Sequence, residues 1–263
     1  MRRVHSIAKR VRTAVGRRPE QVSTLLIVGC QRSGTSLLLR LFDDDPRVAV
    51  FGEKSKLFSS EPGNRRLLEV ETVVRTVEQQ RAPLVVIKPL VESQRTPELL
   101  DSLPNAHAVW MYRHYRDTAI SNLDAFGHDN GFRDLEPILR GDASNWRSEA
   151  ATPEVRDRIT AVSADIGQAD AAALFWYARN SLLYDTGAID DERVSVRSYD
   201  SFVTEPVRTL DDLYATVGLP PPAHRHRETV TPRSIGRGAE IDLCPEIEAM
   251  CSELLDRLVA SEQ

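Results

Sequence analysis

The stretch TLLIVGCQRSGTSLLLR, residues 24–40, constrains the fold more tightly than any other part of the chain. A short apolar run predicts a buried strand over residues 24–29, and SLLLRLF predicts a helix over residues 36–42. Between them, Gly29 and Gly34 have the G-x-x-x-x-G spacing of loops whose backbone amides bind phosphate groups at a helix N-terminus. A strand, a glycine loop and a helix in this order are typical of the first unit of a parallel α/β sheet.

The rest of the chain repeats this alternation of apolar runs and helical patterns. The apolar runs are short and rich in Val and Ile, and they predict strands over residues 24–29, 48–51, 84–88, 108–112 and 194–199. Helical patterns lie between and after them, over residues 64–80, 117–126, 152–187, 205–219 and 245–259. Because parallel strands need helical crossovers, the alternation predicts an α/β fold, a P-loop-type parallel β-sheet with helices on both faces, in a single domain over residues 21–263.

Composition narrows the classes of function. The net charge of −5 is not that of a nucleic-acid-binding protein. The three scattered cysteines have no metal-ligand spacing and favour a reducing compartment, so we expect a cytoplasmic protein without a metal site. No run of 18 apolar residues occurs. Residues 1–18 carry seven basic and no acidic side chains, which predicts over residues 1–20 either a basic amphipathic helix at the inner face of a membrane or a solvated arm.

The glycine loop lacks one residue that ATP-binding loops need. Those loops read G-x-x-x-x-G-K-[ST], and here Ser36 fits the pattern but Thr35 stands in place of the lysine. A kinase uses that lysine at the β- and γ-phosphates and an aspartate to hold Mg²⁺, whereas LVVIK ends in Lys88 and AVWMY is followed by Arg113. The amides of residues 32–36 are therefore predicted to hold fewer phosphates without a metal ion, and a 5′-phosphate that carries a sulfuryl group would suit them.

Three segments of the chain resemble one family. GCQRSGTSLL resembles the 5′-phosphosulfate loop of sulfotransferases that use 3′-phosphoadenosine 5′-phosphosulfate (PAPS). In AVWMYRHYRDTAISNL, Arg113 follows a strand and Ser121 comes eight residues later, which resembles the family's 3′-phosphate site. VSVRSYDSFVTEP is similar to a third family segment, in which Tyr199 would approach the 3′-phosphate or the adenosine. The loop residues that the resemblance assigns to cofactor binding are Arg32, Ser33, Gly34, Thr35 and Ser36.

The run RSGTSLLLRLFDDDPRVAVFGEK is most similar to the tyrosylprotein sulfotransferase branch. By this resemblance Glu53 is the general base, and Lys88 and Arg32 neutralise charge that grows on the bridging oxygen and the sulfuryl group. Leu90 stands where small-molecule members have a histidine base, and Ala125 stands where the tyrosylprotein branch has an arginine. The resemblance therefore implies PAPS chemistry more firmly than it implies a tyrosine substrate.

A segment near the C-terminus, TPRSIGRGAEI, loosely resembles the loop that closes over the cofactor in this family. We predict that Arg237 covers the phosphates, with Arg233 as the alternative.

Several of these residues also have structural interpretations. Glu53 could cap a helix or pair with the lysine at position 54 or 56, and Lys88 could extend from its strand end to water. Arg113 could pair with Asp117 on the following helix. Two assigned residues could be ordinary helix or core residues: Ser121 and Tyr199. Three other side chains are rival bases: His114, His128 and Glu92.

The resemblance implies an enzyme that transfers a sulfuryl group from PAPS to a hydroxyl group by in-line displacement. Two alternatives stay open, a P-loop small-molecule kinase and a non-catalytic nucleotide-binding protein of the same fold. Residues 126–146 are rich in Gly, Asp and Asn and predict a loop or lid over the acceptor site. The side chains there that would stack on an acceptor are Phe126, Phe132 and Trp146. We expect the acceptor to be a saccharide, a glycolipid or a secondary metabolite of a bacterium.

Overall fold

The computed structural model describes residues 21–59, 65–222 and 230–262, so the predicted N-terminal arm lies outside the described residues. Within them, the strands are β1 (Ser23–Gly29), β2 (Val48–Phe51), β3 (Leu84–Ile87), β4 (Ala106–Tyr112) and β5 (Val194–Ser198). They form one parallel sheet in the order β2-β3-β1-β4-β5. The predicted parallel α/β fold is confirmed, and each predicted strand agrees with the structure to within two residues at either end.

Helices cover both faces of the sheet. The α-helices of the described residues are α1 (Thr35–Asp43), α2 (Val70–Glu78), α3 (Thr96–Ser102), α4 (Tyr115–Phe126), α5 (Asn130–Leu139), α6 (Pro153–Ala161), α7 (Gln168–Asp185), α8 (Tyr199–Thr204), α9 (Pro206–Thr216) and α10 (Pro245–Ala260). Short 3-10 helices span Leu90–Arg95 and Ala188–Asp190. None of these helices combines the length and the apolar character that crossing a bilayer would require.

The alternation of side chains along each strand divides the core into two layers. From β1, Leu26 and Val28 pack on one face of the sheet with residues of α7 and α10. Leu25 and Ile27 point to the other face and pack with residues of α1, α8 and α9. All four side chains are fully buried, and each contributes about 1.5–3 kcal/mol relative to an exposed position. Since both faces are covered, the edges of the sheet are where a ligand can reach the strands.

Three sequence predictions about helices differ from the structure. The helix predicted over residues 64–80 begins at Val70, because Leu67 instead forms an isolated β-bridge with Phe58. The helical stretch predicted over residues 152–187 is two helices, α6 and α7, because Asp165 has a φ of 55° that no right-handed helix can include. The loop predicted over residues 126–146 is wrong, since α5 lies within it. Two of its polar residues are buried rather than solvated: Asn130 Nδ2 donates a hydrogen bond of 2.6 Å to Asp134 Oδ2.

Candidate active site

Most of the predicted site residues lie at the carboxyl edge of the sheet, where the C-terminal ends of its parallel strands lie side by side. Glu53 follows β2, Lys88 follows β3, Arg113 follows β4 and Tyr199 follows β5, while the glycine loop follows β1. Along the edge, the order of the strands therefore gives Glu53, Lys88, the glycine loop, Arg113 and Tyr199. Ligands of open α/β sheets bind at this edge. The fold thus brings together residues that lie far apart in the chain; Arg32 and Tyr199, for example, are 167 positions apart.

Both glycines of the loop are required by close contacts. Gly29 has a φ of 113°, and a Cβ there would lie 2.3 Å from the carbonyl oxygen of Met111 in β4. Gly34 has a φ of 82°, and a Cβ there would lie 2.6 Å from the ring of Tyr199. A non-glycine residue would therefore be strained and would push the loop away from β4 and α8. The tight contact at Gly34 is made by Tyr199, and the sequence motif did not reveal it.

The N-terminus of α1 is open towards the carboxyl edge. The N-cap residue, Gly34, has no side chain, so no cap hydrogen bond occupies the first amides of the helix. The hydroxyl of Ser33 is fully buried and has no hydrogen-bond partner among the described residues. Thr35 is buried and Ser36 is exposed. Unpaired donors beside a helix N-terminus are what a phosphate group would satisfy, so the residues present fit an anionic ligand.

Glu53 and Lys88 form an ion pair at one end of this edge. Lys88 Nζ donates a hydrogen bond of 2.7 Å to Glu53 Oε2, and the two side chains are 7% and 30% exposed. The backbone amide of Lys88 donates to the carbonyl of Phe51 at 2.9 Å, which fixes the register of the two strand ends. Lys88 therefore does not extend into water, and the carboxylate of Glu53 is paired with it across the sheet. The Glu53 carboxylate is thus held by Lys88 and is partly exposed at the carboxyl edge, where a ligand can reach it.

Two residues that the sequence analysis missed support the segment after Lys88. Ser93, fully buried, accepts a hydrogen bond from the Gly29 amide at 3.0 Å and donates one to the Leu90 carbonyl at 2.8 Å. Arg179, fully buried in α7, donates to the same carbonyl at 3.0 Å, and burial lowers the pKa of Arg179 to about 10. Together these bonds tie the start of the glycine loop to the turn that carries Lys88. No sequence motif marks either residue.

Arg113, Ser121 and Arg32 lie together on the β4 side of the glycine loop. The guanidinium of Arg113 is buried, lies 4.5 Å from the ring centroid of Tyr199, and has an Nε without a partner among the described residues. Arg32 Nε donates a hydrogen bond of 3.1 Å to Ser121 Oγ. Burial lowers the pKa of Arg32, and the charge of Arg113 lowers it further. Two guanidinium groups that repel each other beside a hydroxyl form a natural site for a multiply charged anion.

The guanidinium of Arg113 has two partners, Asp117 and the loop before α10. Arg113 Nη2 lies 3.3 Å from Asp117 Oδ2, as one structural interpretation proposed, and also donates to the carbonyl of Ser234. In the same loop, Arg237 Nη2 donates to Asp124 Oδ2 at 2.9 Å. Arg237 therefore stands next to α4, the helix that carries Ser121.

The rival bases have other partners or surroundings. The Nδ1 atom of His114 accepts a hydrogen bond of 3.3 Å from the Arg116 amide and so caps α4, and burial lowers the pKa of His114. Glu92 is fully buried and accepts from Arg66 Nε at 2.6 Å. Burial would raise the pKa of Glu92, but hydrogen bonds, chiefly those from Arg66, lower it below its ordinary value. His128 is exposed at the turn between α4 and α5.

Of the three aromatic residues predicted to stack on an acceptor, one is in the core. Trp146 is 8% exposed, and the guanidinium groups of Arg147 and Arg179 lie 4.5 and 5.3 Å from its ring centroid. The prediction of a stacking role for Trp146 is therefore wrong. Phe126 and Phe132 are 49% and 38% exposed, and the guanidinium of Arg32 lies 5.6 Å from the Phe126 ring centroid.

A cluster of His, Cys, Asp or Glu residues with the arrangement of a metal site does not occur within residues 21–59, 65–222 and 230–262.

Comparison with solved structures identifies proteins of the same fold. The sulfotransferase domain from the olefin synthase of Synechococcus PCC 7002 is 13% identical, with a TM-score of 0.53 over 93% of this chain and 98% of that domain. The sulfotransferase domain from the curacin biosynthetic pathway is also 13% identical, with a TM-score of 0.52 over 91% of this chain and 99% of that domain. No protein-family model and no curated protein sequence matches the chain. At this identity the likeness shows a shared fold.

Proposed function

We propose that the chain transfers a sulfuryl group from PAPS to a hydroxyl group of an acceptor. One observation carries the proposal: along the carboxyl edge, the glycine loop lies between a carboxylate–ammonium pair and a cluster of arginines around a serine. A nucleotide with a reactive group at its 5′ end and a second phosphate on its ribose matches this order. The fold shared with two sulfotransferase domains supports the same reading.

The glycine loop would hold the 5′-phosphate of the cofactor. The open N-terminus of α1 offers amides, and the buried hydroxyl of Ser33 offers a donor without a partner among the described residues. Thr35 and Ser36 would add donors from the first turn of α1. Gly34 lets Tyr199 pack against the loop, so the ring would border both the loop and the Arg113 side of the site.

Arg113 and Ser121 would bind the 3′-phosphate. The free Nε of Arg113 and the hydroxyl of Ser121 supply hydrogen bonds, and the guanidinium supplies charge in a buried setting where charge-assisted bonds are strong. Arg237 would complete this part of the site from the loop above α4. A 3′-phosphate is absent from ATP and ADP, so this cluster would also give the protein its nucleotide specificity.

The Glu53–Lys88 pair would perform the proton transfer. The cofactor supplies an activated sulfuryl group, whose bond to the 5′-phosphate breaks as its bond to the acceptor oxygen forms. Glu53 would take the proton from the acceptor hydroxyl, and Lys88 would neutralise charge that grows on the bridging oxygen of the leaving phosphate. The products are a sulfate ester and adenosine 3′,5′-bisphosphate. The proposal needs no metal ion, because lysine and arginine supply the positive charge.

The proposed role of Arg32 at the sulfuryl group requires its side chain to move. To neutralise charge on the sulfuryl group as well, its side chain would leave Ser121, to which it donates a hydrogen bond, and turn towards the β3 side of the loop. Arg32 has a φ of 67°, in the left-handed region, so the fold holds its backbone in an uncommon conformation at the tip of the loop.

The acceptor is proposed to be a hydroxyl compound with an apolar or ring-shaped body, such as a saccharide, a glycolipid or a secondary metabolite. Phe126, exposed beside Arg32, and Phe132, exposed near the start of α5, would contact that body. We further propose that the protein acts in the cytoplasm and that residues 1–18 contact anionic membranes. Co-sedimentation with anionic vesicles, lost when these residues are deleted, would support that contact, and a protein that stays in the supernatant at low salt would refute it.

The test of the function is a transfer assay with PAPS labelled in its sulfur atom. The purified protein is incubated with pools of saccharides, glycolipids and secondary metabolites, and mass spectrometry follows the sulfate ester and adenosine 3′,5′-bisphosphate. The expected result is equal formation of both products, lost in Arg113→Ala. Consumption of ATP with Mg²⁺ would favour a kinase instead. Binding of the bisphosphate with no turnover of PAPS in any pool would favour a non-catalytic nucleotide-binding protein.

A further inference from the structure

One face of α4 carries three polar side chains in a row. Asp117, Ser121 and Asp124 are four and three residues apart, so they lie on the same side of the helix. Ser121 therefore has a carboxylate about one helical turn away on either side. The loop 234–238 crosses this face of the helix, and each carboxylate holds one part of it.

Asp117 accepts hydrogen bonds from the backbone amides of both glycines of the loop. Its Oδ2 accepts from the Gly236 amide at 2.9 Å, and its Oδ1 accepts from the Gly238 amide at 2.7 Å. These two amides flank Arg237, so the direction in which Arg237 leaves the loop is set by Asp117. Asp124 then accepts from the guanidinium of Arg237 at 2.9 Å.

The two attachments differ in burial and hence in strength. Asp117 is 2% exposed and its bonds to backbone amides are charge-assisted, so they are costly to break. The side chains of Arg237 and Asp124 are 50% and 45% exposed, and exposed ion pairs contribute little. Arg237 can therefore exchange its partner while the backbone on either side of it stays in place.

Close packing also fixes the loop on α4. A Cβ at Gly238 would lie 2.3 Å from the backbone carbonyl carbon of Arg116 and 2.6 Å from the Asp117 amide. Only glycine allows the loop to approach the first turn of the helix this closely. The close contact at Gly238 and the two hydrogen bonds of Asp117 therefore hold the same part of the loop against α4.

From this geometry we infer that Asp117 is a positioning residue for cofactor binding: it fixes the amides of Gly236 and Gly238 so that Arg237 can leave Asp124 and bind the 3′-phosphate beside Ser121. The inference deepens the proposed function and rests on it. Asp117 itself does not touch the cofactor. Asp117 also lies 3.3 Å from Arg113 Nη2, but its positioning effect passes through the loop to Arg237.

Calorimetric binding to adenosine 3′,5′-bisphosphate and to adenosine 5′-phosphate tests this role in the wild type and in Asp117→Asn. A carboxylate near a phosphate repels it, so its removal would by simple electrostatics strengthen binding of the bisphosphate. The positioning role predicts the opposite sign. We expect Asp117→Asn to weaken bisphosphate binding about tenfold or more, the scale of one charge-assisted hydrogen bond, and to leave binding of the 5′-phosphate within about twofold.

Asp124→Asn is the matched control on the same helix face. It removes the competing partner of Arg237, so we expect bisphosphate binding to stay the same or to tighten by up to about threefold. In an Arg237→Ala background, the substitution Asp117→Asn should no longer weaken bisphosphate binding, because its effect passes through Arg237. Should Asp117→Asn fail to fold, Gly238→Ala displaces the same loop and is expected to cause the same selective loss.

The outcomes separate this inference from the proposed function. A wild type that does not prefer the bisphosphate over the 5′-phosphate refutes the proposed cofactor, and the role of Asp117 falls with it. A wild type with that preference, together with an Asp117→Asn variant that keeps it, refutes the role of Asp117 alone. Equal weakening of both ligands shows a general structural effect and overturns the inference. A loss that persists in the Arg237→Ala background shows that Asp117 acts through its pair with Arg113 or through the fold, and it also overturns the inference.

Discussion

Replacing Glu53 with glutamine removes the carboxylate that we assign as the general base and keeps the shape of the side chain. A positioned base contributes about 10²–10⁴-fold to a rate. We therefore expect kcat for sulfuryl transfer in Glu53→Gln to fall by about that factor, which corresponds to about 3–5 kcal/mol of transition-state stabilisation. Binding of adenosine 3′,5′-bisphosphate should stay within about twofold of wild type, since Glu53 lies at the far end of the edge from Arg113.

The same substitution should change stability only modestly. Glutamine can still accept the 2.7 Å hydrogen bond from Lys88, but the bond loses the charge on its acceptor. The difference between a charge-assisted and a neutral hydrogen bond is about 1 kcal/mol, and the 30% exposure of Glu53 limits it further. In a chain of this size, about 1 kcal/mol lowers the Tm by about 2–4 °C. Unfolding would therefore not explain a large loss of activity at 25 °C.

Three measurements on one preparation check this prediction: product formation from PAPS, calorimetric binding of the bisphosphate, and thermal unfolding. Lys54→Gln is the control, because it removes a neighbouring charge that the described structure does not pair with Glu53. Its kcat should stay within about twofold of wild type. Activity close to wild type in Glu53→Gln would refute Glu53 as the base. A Tm lower by far more than a few degrees would refute the view that the pair makes only a small contribution to folding.

Other substitutions and probes test the remaining parts of the site. Ser121→Ala removes the hydroxyl that Arg32 contacts, so calorimetry should show binding of the bisphosphate weakened about 5–10-fold and binding of adenosine 5′-phosphate unchanged. Gly34→Ala places a Cβ 2.6 Å from the Tyr199 ring at a φ of 82°, so its free energy of unfolding should fall by at least about 1–2 kcal/mol in chemical denaturation. Burial raises the pKa of Cys30 to about 12, so at pH 8 its thiol stays protonated and iodoacetamide should label it only after unfolding, as peptide mass spectrometry would show.

A different result in each of these three experiments would contradict the role or burial that we assign. Equal weakening of both nucleotides in Ser121→Ala would contradict a role at the 3′-phosphate. Wild-type stability in Gly34→Ala would contradict the close packing of Tyr199 on the loop, and Gly218→Ala, with a φ of 72° but no neighbour within 4 Å, separates backbone strain from that contact. Labelling of Cys30 in the folded protein would contradict its burial, with the partly exposed Cys244 as the internal standard.

The arrangement of the strand ends could be predicted because it follows from short-range patterns. Apolar runs rich in Val and Ile located the five strands of the described residues, and parallel strands necessarily bring their carboxyl ends to one edge. Each residue predicted at the carboxyl end of a strand or just after it therefore had to lie at that edge. The positions of Glu53, Lys88, Arg113 and Tyr199 agree with this argument.

Partners across the fold could not be predicted in the same way. Glu53 pairs with Lys88, 35 residues away, although two lysines lie next to it in the sequence, because the adjacency of β2 and β3 decides the contact. The helix α5 escaped prediction because two of its polar residues, Asn130 and Asp134, are buried in a hydrogen-bond network, and composition does not distinguish them from a solvated loop. The role of Ser93 could not be predicted from the sequence, since it depends on a hydrogen bond with Gly29, 64 residues away.

The most direct test of the central claim is calorimetric titration of the wild-type protein with adenosine 3′,5′-bisphosphate and, separately, with ADP and ATP. Arg113→Ala is the control, because Arg113 is the buried cation that we assign to the 3′-phosphate. The account predicts tight binding of the bisphosphate, much weaker binding of ADP, and loss of that difference in Arg113→Ala. Preference for ATP, or no binding of any of the three nucleotides, would contradict it.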